Sequence, residues 1–307
     1  MINQQLNKSN HLNALNYKDF FRNAIIPSKE IGSYEALWLQ DKSIWFNKIS
    51  DMFSKNDGML PLPSDIINND ELAHKYYTKV IEYITKANIK KFGVKFRGTG
   101  DYPMSLEDAK DKLELIYYAG DWDLIFTPSI AVVGTRKPTE EGIKRTKKLV
   151  KGIIEQGYTV VSGLAEGIDT VAHETAIDSG GRTLAVIGTA LDQVYPQKNT
   201  ALFSQIVEKF LVISQVPFIK YHLQNPSSNR FFFPERNKTM SAITKATIIV
   251  EASETSGTLV QARAALNQGR KLFILASCFN KGLTWPDKYL TKGAIKVDSF
   301  DDIWNNL

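Results

Sequence analysis

Residues 160–176 have the sequence VVSGLAEGIDTVAHETA, an apolar run followed by a glycine-bearing turn and a helical pattern. Ser162 and Gly163 end the apolar run, and Gly167, Ile168 and Asp169 lead into the helix. In a turn between a strand and a helix, backbone N–H groups point outward and the helix dipole attracts anions. One such turn proves little, because most of them merely connect two elements, but this chain has several.

Short apolar runs alternate with helical patterns from residue 129 onward. The runs are SIAVVG, YTVVSG, TLAVIG, FLVISQ, ATIIVE and KLFILA. They are continuous, as is typical of strands that are covered on both faces. Between the first two runs, Thr139 is placed to cap a helix, Glu140 and Glu141 suit its first turn, and Gly157 suits its end. The repeated order of strand, helix and strand predicts an α/β fold with a doubly wound parallel sheet.

The chain of 307 residues is longer than a typical single domain. Residues 1–95 contain YEALWLQDKSIWFNKISDMFSKN and DELAHKYYTKVIEYITKAN, which have helical apolar spacing, with GMLPLPSD as a loop between them. We therefore predict an N-terminal helical domain at 1–95, a connector with room for an extra strand at 96–128, and the α/β domain at 129–307.

Composition and charge limit the kind of protein without identifying it. The net charge of +5 favours anionic partners such as nucleic acid only mildly. The single cysteine, Cys278, excludes an internal disulfide and a cysteine-based zinc cluster, and His173 has no metal-ligand spacing around it. The polar N-terminus lacks the apolar core of a signal peptide, and no stretch has the length of a membrane span. We expect a cytoplasmic protein with no metal, no cofactor and no membrane partner.

The turns that follow the strands form the first candidate site, because open α/β sheets bind ligands beyond the carboxyl ends of their strands. These turns are GTRKPT, SGLAEGID, GTALDQVYP and EASETSGT. Their convergence on one edge, with free backbone amides and the mobile cations Arg136 and Lys137, predicts a phosphate-binding cleft. GTRKPT lacks the spacing of a dinucleotide fingerprint, and the chain has no Walker-type loop. Ordinary NAD binding and P-loop NTP hydrolysis are therefore disfavoured.

A second candidate site is NRFFFPERNKTMSAITKA at residues 229–246. Aromatic rings beside cations and amides suit single-stranded nucleic acid, in which bases stack and phosphates pair with Arg or Lys. The alternative is that Phe231, Phe232 and Phe233 belong partly to the core and that Arg236 closes a local ion pair. A basic run on the helix after the first strand is either a solvated face or an extension of a nucleic-acid path. It consists of Lys144, Arg145, Lys147, Lys148 and Lys151.

Together these stretches resemble the DNA-processing protein A family (DprA, also called Smf) over roughly residues 129–300. The resemblance lies in VVGTRKPT, VSGLAEGIDTVAHETAI, TLAVIGTALDQVYPQKN, the long segment from FFFPERNK to KLFIL, and LTKGAIKV, with GDYPMSL ahead of them. It implies an extended Rossmann-like fold, single-stranded DNA binding, a homodimer, and loading of RecA recombinase onto DNA in natural transformation.

The resemblance also assigns residues. The family's basic DNA-contacting positions fall on Arg136, Lys137, Arg236 and Lys238, and its glycine-rich turn falls on Gly134 and Thr135 with Ser162 and Gly163 beside it. Asn237, Ser256, Gly257 and Thr258 are assigned to the same edge. Our own hypothesis adds that one or more of Phe231, Phe232 and Phe233 stack on bases, with Phe233 included among the predicted site residues.

The chain also departs from the family pattern. It has Ser214–Gln215 in place of SE, Lys238 in place of the second arginine of RNR, and ASCFN in place of PG. Because the sequence stops at Leu307, we expect no C-terminal winged-helix domain, and the N-terminal helices do not match the family's usual module. These departures leave open an accessory role in a mobile element or in phage defence.

Two other functions use the same fold. Nucleoside-monophosphate phosphoribohydrolases carry P-G-G-x-G-T-x-x-E, and here Gln261 stands where their glutamate is required. Because an amide cannot replace a carboxylate base, we expect no enzymatic activity. A nucleotide-ligand sensor is the stronger alternative. Our first prediction is a non-enzymatic, single-stranded DNA-binding protein that protects DNA and loads recombinase.

Overall fold

The computed structural model describes residues 25–54, 60–109 and 112–307. Its helices are α1 (Pro27–Leu37), α2 (Phe46–Ser54), α3 (Pro63–Ile66), α4 (Asp70–Lys86), α5 (Glu140–Glu155), α6 (Ile168–Asp178), α7 (Thr200–Lys209), α8 (Phe218–Leu223), α9 (Pro226–Asn229), α10 (Phe232–Ala242), α11 (Thr258–Asn267), α12 (Trp285–Leu290) and α13 (Asp301–Trp304). Its strands are β1 (Phe92–Phe96), β2 (Leu115–Gly120), β3 (Ser129–Gly134), β4 (Thr159–Ser162), β5 (Thr183–Ile187), β6 (Leu211–Ser214), β7 (Ala246–Glu251), β8 (Lys271–Leu275) and β9 (Ile295–Val297). No helix within these ranges is long and apolar enough to cross a membrane.

The strands form one sheet in the order β1-β2-β6-β5-β4-β3-β7-β8-β9. Strands β3 to β9 are parallel to one another. At one edge β2 pairs with β6, and β1 pairs with β2, both in antiparallel fashion. The six apolar runs picked out in the sequence are β3 to β8, so the prediction of an α/β doubly wound sheet is confirmed.

The sequence patterns of the N-terminal part correspond to α1, α2 and α4, while residues 1–24 and 55–59 of the predicted helical domain lie outside the described ranges. The predicted connector contributes β2, and β1 begins at Phe92, before the predicted end of the helical domain. The domain boundaries themselves stay a prediction.

The sheet is covered on both faces, as its continuous apolar strands require. One face packs against α5, α6 and α13 through residues such as Val150, Ala172 and Ile303. The other face packs against α10, α11 and the N-terminal helices, whose Trp38 belongs to the same cluster as Met240 of α10. The N-terminal helices are thus part of the packing that supports the sheet.

A buried carboxylate attaches α1 to the sheet. The Glu35 carboxylate accepts N–H groups of Phe218 and Ile219, both at 2.9 Å, and the O–H of Tyr117 at 2.5 Å. Burial raises the pKa of Glu35 to about 7 against the lowering effect of these hydrogen bonds. The three donors offset the cost of placing this carboxyl group inside the protein.

The helix after β3 forms as its sequence predicts. The Thr139 hydroxyl accepts the N–H of Gly142 at 3.0 Å, Glu140 and Glu141 occupy the first turn, and Gly157 follows the helix end with φ +78°. The Thr139 cap satisfies one free amide at the start of α5, and the two glutamates interact favourably with the positive end of the helix dipole.

The strand order creates a switch point between β3 and β7. From β3 the chain proceeds to β4, β5 and β6 on one side, and then returns to β7, β8 and β9 on the other. Connections that leave in opposite directions open a crevice beyond the carboxyl ends of the two central strands, where open α/β sheets bind their ligands.

Candidate functional site

A cleft with a volume of about 750 Å³ lies at this switch point. Its lining comes from the turns after β3, β4, β5 and β7 and from α10 with the residues before it. The four turns predicted from the sequence therefore do converge on one edge of the sheet. The residues that line it include Gly134, Thr135, Arg136, Lys137, Ala165, Asp169, Tyr195, Arg230, Phe231, Phe233, Arg236, Asn237, Ser253, Ser256, Gly257 and Thr258.

The cleft is electropositive. Among the described residues, four cationic side chains and one carboxylate, that of Asp169, line it. Arg136 and Lys137 are exposed, and among the described residues no carboxylate lies within ion-pair distance of either. Exposed cations without a protein partner are available to an anionic ligand, and a concave wall strengthens their field.

Arg236 differs from these two cations because it is only 5% exposed. Its Nη1 donates to the carbonyl oxygens of Gly163 and, at 2.6 Å, Val186, and its Nε donates to Asn237 Oδ1 at 2.9 Å. Burial lowers the pKa of Arg236 to about 10, and the Asp169 carboxylate acts in the opposite direction. Arg236 therefore joins the ends of β4 and β5 beneath the cleft while also lining its wall.

The turn after β4 is closed around Asp169. The Asp169 Oδ2 accepts the N–H groups of Gly163 at 3.1 Å and Ala165 at 3.4 Å, and Leu164 between them has φ +58°. In the neighbouring turn, the N–H of Thr135 donates to the Glu251 carbonyl oxygen at 2.7 Å. The sequence-based expectation that these amides are free is therefore wrong, because the turns satisfy their own donors.

Gly167 lets two of these turns touch. Its φ is +79°, and a Cβ at this position would overlap the carbonyl oxygen of Thr135. Only glycine combines that backbone conformation with such a close approach. The turns after β3 and β4 therefore form one continuous wall.

Aromatic rings form another part of the cleft wall. Phe231 and Tyr195 are 55% and 54% exposed, and the Tyr195 and Phe233 rings have centroids 5.7 Å apart. The Arg230 guanidinium lies 5.2 Å from the centre of the Phe231 ring. Phe232 has no exposed surface and stacks on Trp45 at 4.7 Å, so it belongs to the core and cannot receive a base.

Ten of the thirteen residues predicted to bind phosphate or DNA line the cleft, and three do not. Ser162 is buried, and its hydroxyl donates to the Val132 carbonyl oxygen at 2.7 Å. Gly163 is also buried, beneath Arg236. Lys238 lies at a neighbouring pocket, where its Nζ is 2.9 Å from Glu235.

Tyr195, Arg230 and Asp169 also line the cleft, although the sequence did not predict them as site residues. Tyr195 stands at the end of a turn that the sequence did single out, but nothing local shows that its ring faces Phe233 rather than solvent. Arg230 directly precedes the phenylalanine run and could have been recognised from that position.

The remaining polar candidates have structural roles. The Gln261 amide donates to Thr247 Oγ1 at 3.2 Å, and Glu251 Oε2 accepts from the Thr139 hydroxyl at 3.0 Å. His173 is buried with its Nδ1 2.7 Å from Thr183 Oγ1, and burial lowers its pKa to about 3. Across the described ranges, no three His, Cys, Asp or Glu side chains are grouped as metal ligands.

Comparison with known proteins gives this geometry a context. The family model of DNA recombination-mediator protein A matches residues 94–307. The chain is 36% identical over 203 residues to DNA processing protein DprA of Streptococcus pneumoniae, covering 66% of this chain and 70% of that protein. It is 33% identical over 208 residues to DNA processing protein DprA of Bacillus subtilis, covering 67% and 68% of the two chains.

Solved structures agree with the sequence relatives. The X-ray structure of DprA from S. pneumoniae superposes with a TM-score of 0.65 at 29% identity, over 92% of this chain and 94% of that one. Coverage of 92% of the chain is more than residues 94–307 alone can supply. The structural likeness therefore extends into the N-terminal helices, although their sequence does not match the family's usual N-terminal module. DprA from Helicobacter pylori, whose structure was described for its single-stranded DNA binding mode, superposes with a TM-score of 0.60 at 26% identity, over 70% and 94%. The chain belongs to the DNA recombination-mediator protein A family.

Proposed function

We propose that this protein binds single-stranded DNA in the switch-point cleft and does not catalyse a reaction there. The observation that carries the proposal is that one cleft combines cations and aromatic rings. Its lining includes the exposed cations Arg136 and Lys137, which have no described carboxylate partner, and the exposed rings of Tyr195 and Phe231. Phosphates pair with cations and bases stack on rings, and a cleft that offers both suits a single strand.

The likeness to H. pylori DprA, a protein described for its single-stranded DNA binding mode, supports this proposal. The low negative charge of the cleft lining supports it as well. The Asp169 carboxylate, the one acidic side chain in the lining, accepts two backbone N–H groups and faces Arg236, so it adds little repulsion toward phosphate. Duplex DNA keeps its bases inside the helix and cannot use the aromatic wall, so we expect preference for single strands.

The test is fluorescence anisotropy with labelled oligothymidylate, with the double variant R136A/K137A beside K271A, a control that removes one distant positive charge. Lys271 is exposed and begins β8, at the edge of the sheet opposite the cleft. Loss of two charge-assisted phosphate contacts is expected to weaken binding by roughly 100-fold and to flatten the salt dependence. K271A is expected to bind like the wild type. Equal affinities of all three proteins would contradict the proposed site.

We further propose that DNA-bound protein acts as a homodimer that protects the strand and loads a RecA-type recombinase. Membership of the recombination-mediator family supports this role. Light scattering tests the dimer, and assembly of RecA on DNA coated with single-strand-binding protein tests the loading. A monomer that leaves RecA assembly unchanged would remove this part of the proposal and leave DNA binding standing.

A nucleotide sensor is the second candidate, because a cleft of about 750 Å³ falls within the size range of small-molecule sites. A sensor saturates with one mononucleotide and is indifferent to oligomer length. Competition of dTMP against oligomers of increasing length therefore separates the two functions. Affinity that rises with length and falls with salt identifies the DNA-binding protein.

A further inference from the structure

A second pocket lies on the same edge of the sheet as the cleft. It has a volume of about 440 Å³ and sits between α5 and the segment that follows β9. We call it the C-terminal groove and define it by Arg145, Lys148, Ser277, Ser299 and Phe300, over an apolar floor. Leu275 and Val297, the last residues of β8 and β9, are register partners and form part of that floor.

The walls of the groove combine charge and a flat ring. Arg145 and Lys148 are three residues apart on α5 and therefore share a face of the helix. The Lys148 ammonium lies 5.8 Å from the centre of the Phe300 ring. Among the described residues, neither cation has a carboxylate within ion-pair distance. Two free cations beside an aromatic face suit one phosphate and one base.

The carboxylates near the groove are already engaged. Asp298 lies 3.1 Å from the Lys296 ammonium. Asp302 Oδ2 accepts the N–H groups of Asp298 at 2.8 Å and of Ser299 at 2.7 Å. Asp298 also lines the groove, and Glu141 on α5 interacts electrostatically with Arg145, but each of these two acids has a lysine partner of its own, Lys296 and Lys144. The described lining of the groove therefore carries two cations and one carboxylate.

The Phe300 ring is held in place from below. A Cβ on Gly152 would lie 2.5 Å from Phe300 Cε1, so the absent side chain lets the ring rest directly on α5. Phe300 is also parallel to Trp304 within 3°, with ring centres 6.4 Å apart. A ring supported by these two contacts loses little conformational freedom when a base stacks on it.

The groove is close enough to the cleft for one strand to reach both. Strand β9 is two places from β7 in the sheet, or about 10 Å at the usual strand spacing. Helix α5 begins just after Lys137 of the cleft, and Lys148 is eight residues along it, about 12 Å. Exposed Lys147 and Lys151 continue the basic surface of that helix.

We propose that the C-terminal groove is a second contact site for the same single strand, and that DNA leaving the cleft follows α5 to place a phosphate against Arg145 and Lys148 and a base on Phe300. The inference rests on the proposed DNA binding by the cleft. It assigns a function to the basic run of α5, which the sequence left open between a solvated face and a nucleic-acid path.

The test compares a thymidine dinucleotide with an oligothymidylate of about 20 nucleotides, because at about 3.4 Å per nucleotide only the longer one covers the roughly 10–12 Å between the two sites. The variants are R145Q/K148Q and F300L, with K271Q as a control that removes one distant positive charge. We expect R145Q/K148Q to bind the long oligomer at least about tenfold more weakly and to lower its salt slope by about 1.4, two contacts at about 0.7 each on a single strand. F300L is expected to weaken the same binding without changing the slope. Both variants should keep wild-type affinity for the short oligomer.

The outcomes separate this inference from the proposed function. Wild-type affinity of both groove variants for the long oligomer, together with loss of binding in R136A/K137A, would overturn the groove and leave the cleft standing. Equal losses on the short and the long oligomer would also overturn it, since the groove would then not be a distal site. Absence of binding of either oligomer by the wild-type protein would overturn both proposals.

Discussion

Replacing Arg236 with alanine separates a structural role from a DNA-contacting one. Arg236 is 5% exposed and lies in the wall of the cleft, with its guanidinium bonded to the carbonyl oxygens of Gly163 and Val186. An arginine whose function is only to hold a phosphate does not need those bonds. We expect Arg236→Ala to reduce the stability of the fold as well as its affinity for DNA.

The magnitude follows from what the substitution leaves behind. Two carbonyl oxygens lose a charged donor, and the buried Asp169 carboxylate loses the cation that faces it. A buried polar group that loses its hydrogen-bond partner typically costs about 1–3 kcal/mol, so the two carbonyl groups together suggest a loss of about 2–5 kcal/mol in the free energy of unfolding. The exposed Arg136 has no described carboxylate partner, so Arg136→Ala is expected to change the free energy of unfolding by less than about 0.5 kcal/mol.

The assay is urea unfolding of the wild type, R236A, R136A and R236K, followed by circular dichroism. R236K keeps the charge but loses the forked geometry, so we expect a free energy of unfolding between those of R236A and the wild type. A double-mutant cycle of R236A with D169N measures the coupling of the two side chains, expected to be at least about 1 kcal/mol.

One unfolding result would refute the structural role of Arg236. If R236A unfolds within about 0.5 kcal/mol of the wild type and the cycle shows no coupling, the bonds seen here contribute nothing to stability. A selective loss of DNA affinity in that stable variant would then make Arg236 a phosphate ligand like Arg136.

Three other substitutions test the packing around the site. Phe232→Ala should lower the free energy of unfolding by about 3–5 kcal/mol, because the ring is fully buried against Trp45. Phe231→Ala should leave stability nearly unchanged and weaken DNA binding. Equal melting temperatures of the two variants would contradict this assignment. Gly167→Ala should lower the melting temperature, since its φ of +79° and the nearby Thr135 carbonyl both exclude a Cβ; an unchanged melting temperature would show that the turn can rearrange. His173 is neutral when folded, with a pKa of about 3 against about 6.5 unfolded, so it stabilises the fold above pH 6.5 and less as pH falls toward 3. The stability difference between wild type and His173→Leu should therefore shrink by at most about 1.4 kcal/mol per pH unit on acidification, and a constant difference would show that His173 does not titrate in this way.

The sequence alone determined which segments of the α/β region are strands and helices. Continuous β-branched runs and the cap at Thr139 are local signals, and their period and propensity act over a few residues. Local signals also identify the turns that follow the strands, and for this reason ten of the thirteen predicted site residues line the cleft. In parallel sheets the turns after the strands lie at one edge, whatever the strand order.

Only the tertiary structure decided the strand order, and with it the position of the switch point between β3 and β7. It also decided the different environments of Phe231, Phe232 and Phe233, because neighbouring residues at the start of a helix point about 100° apart and the supporting elements are distant in sequence. Arg236 shows the same dependence, since its acceptors, the carbonyls of Gly163 and Val186, come from two other strand ends. Burial depends on contacts between distant segments, and the local sequence contains no record of them.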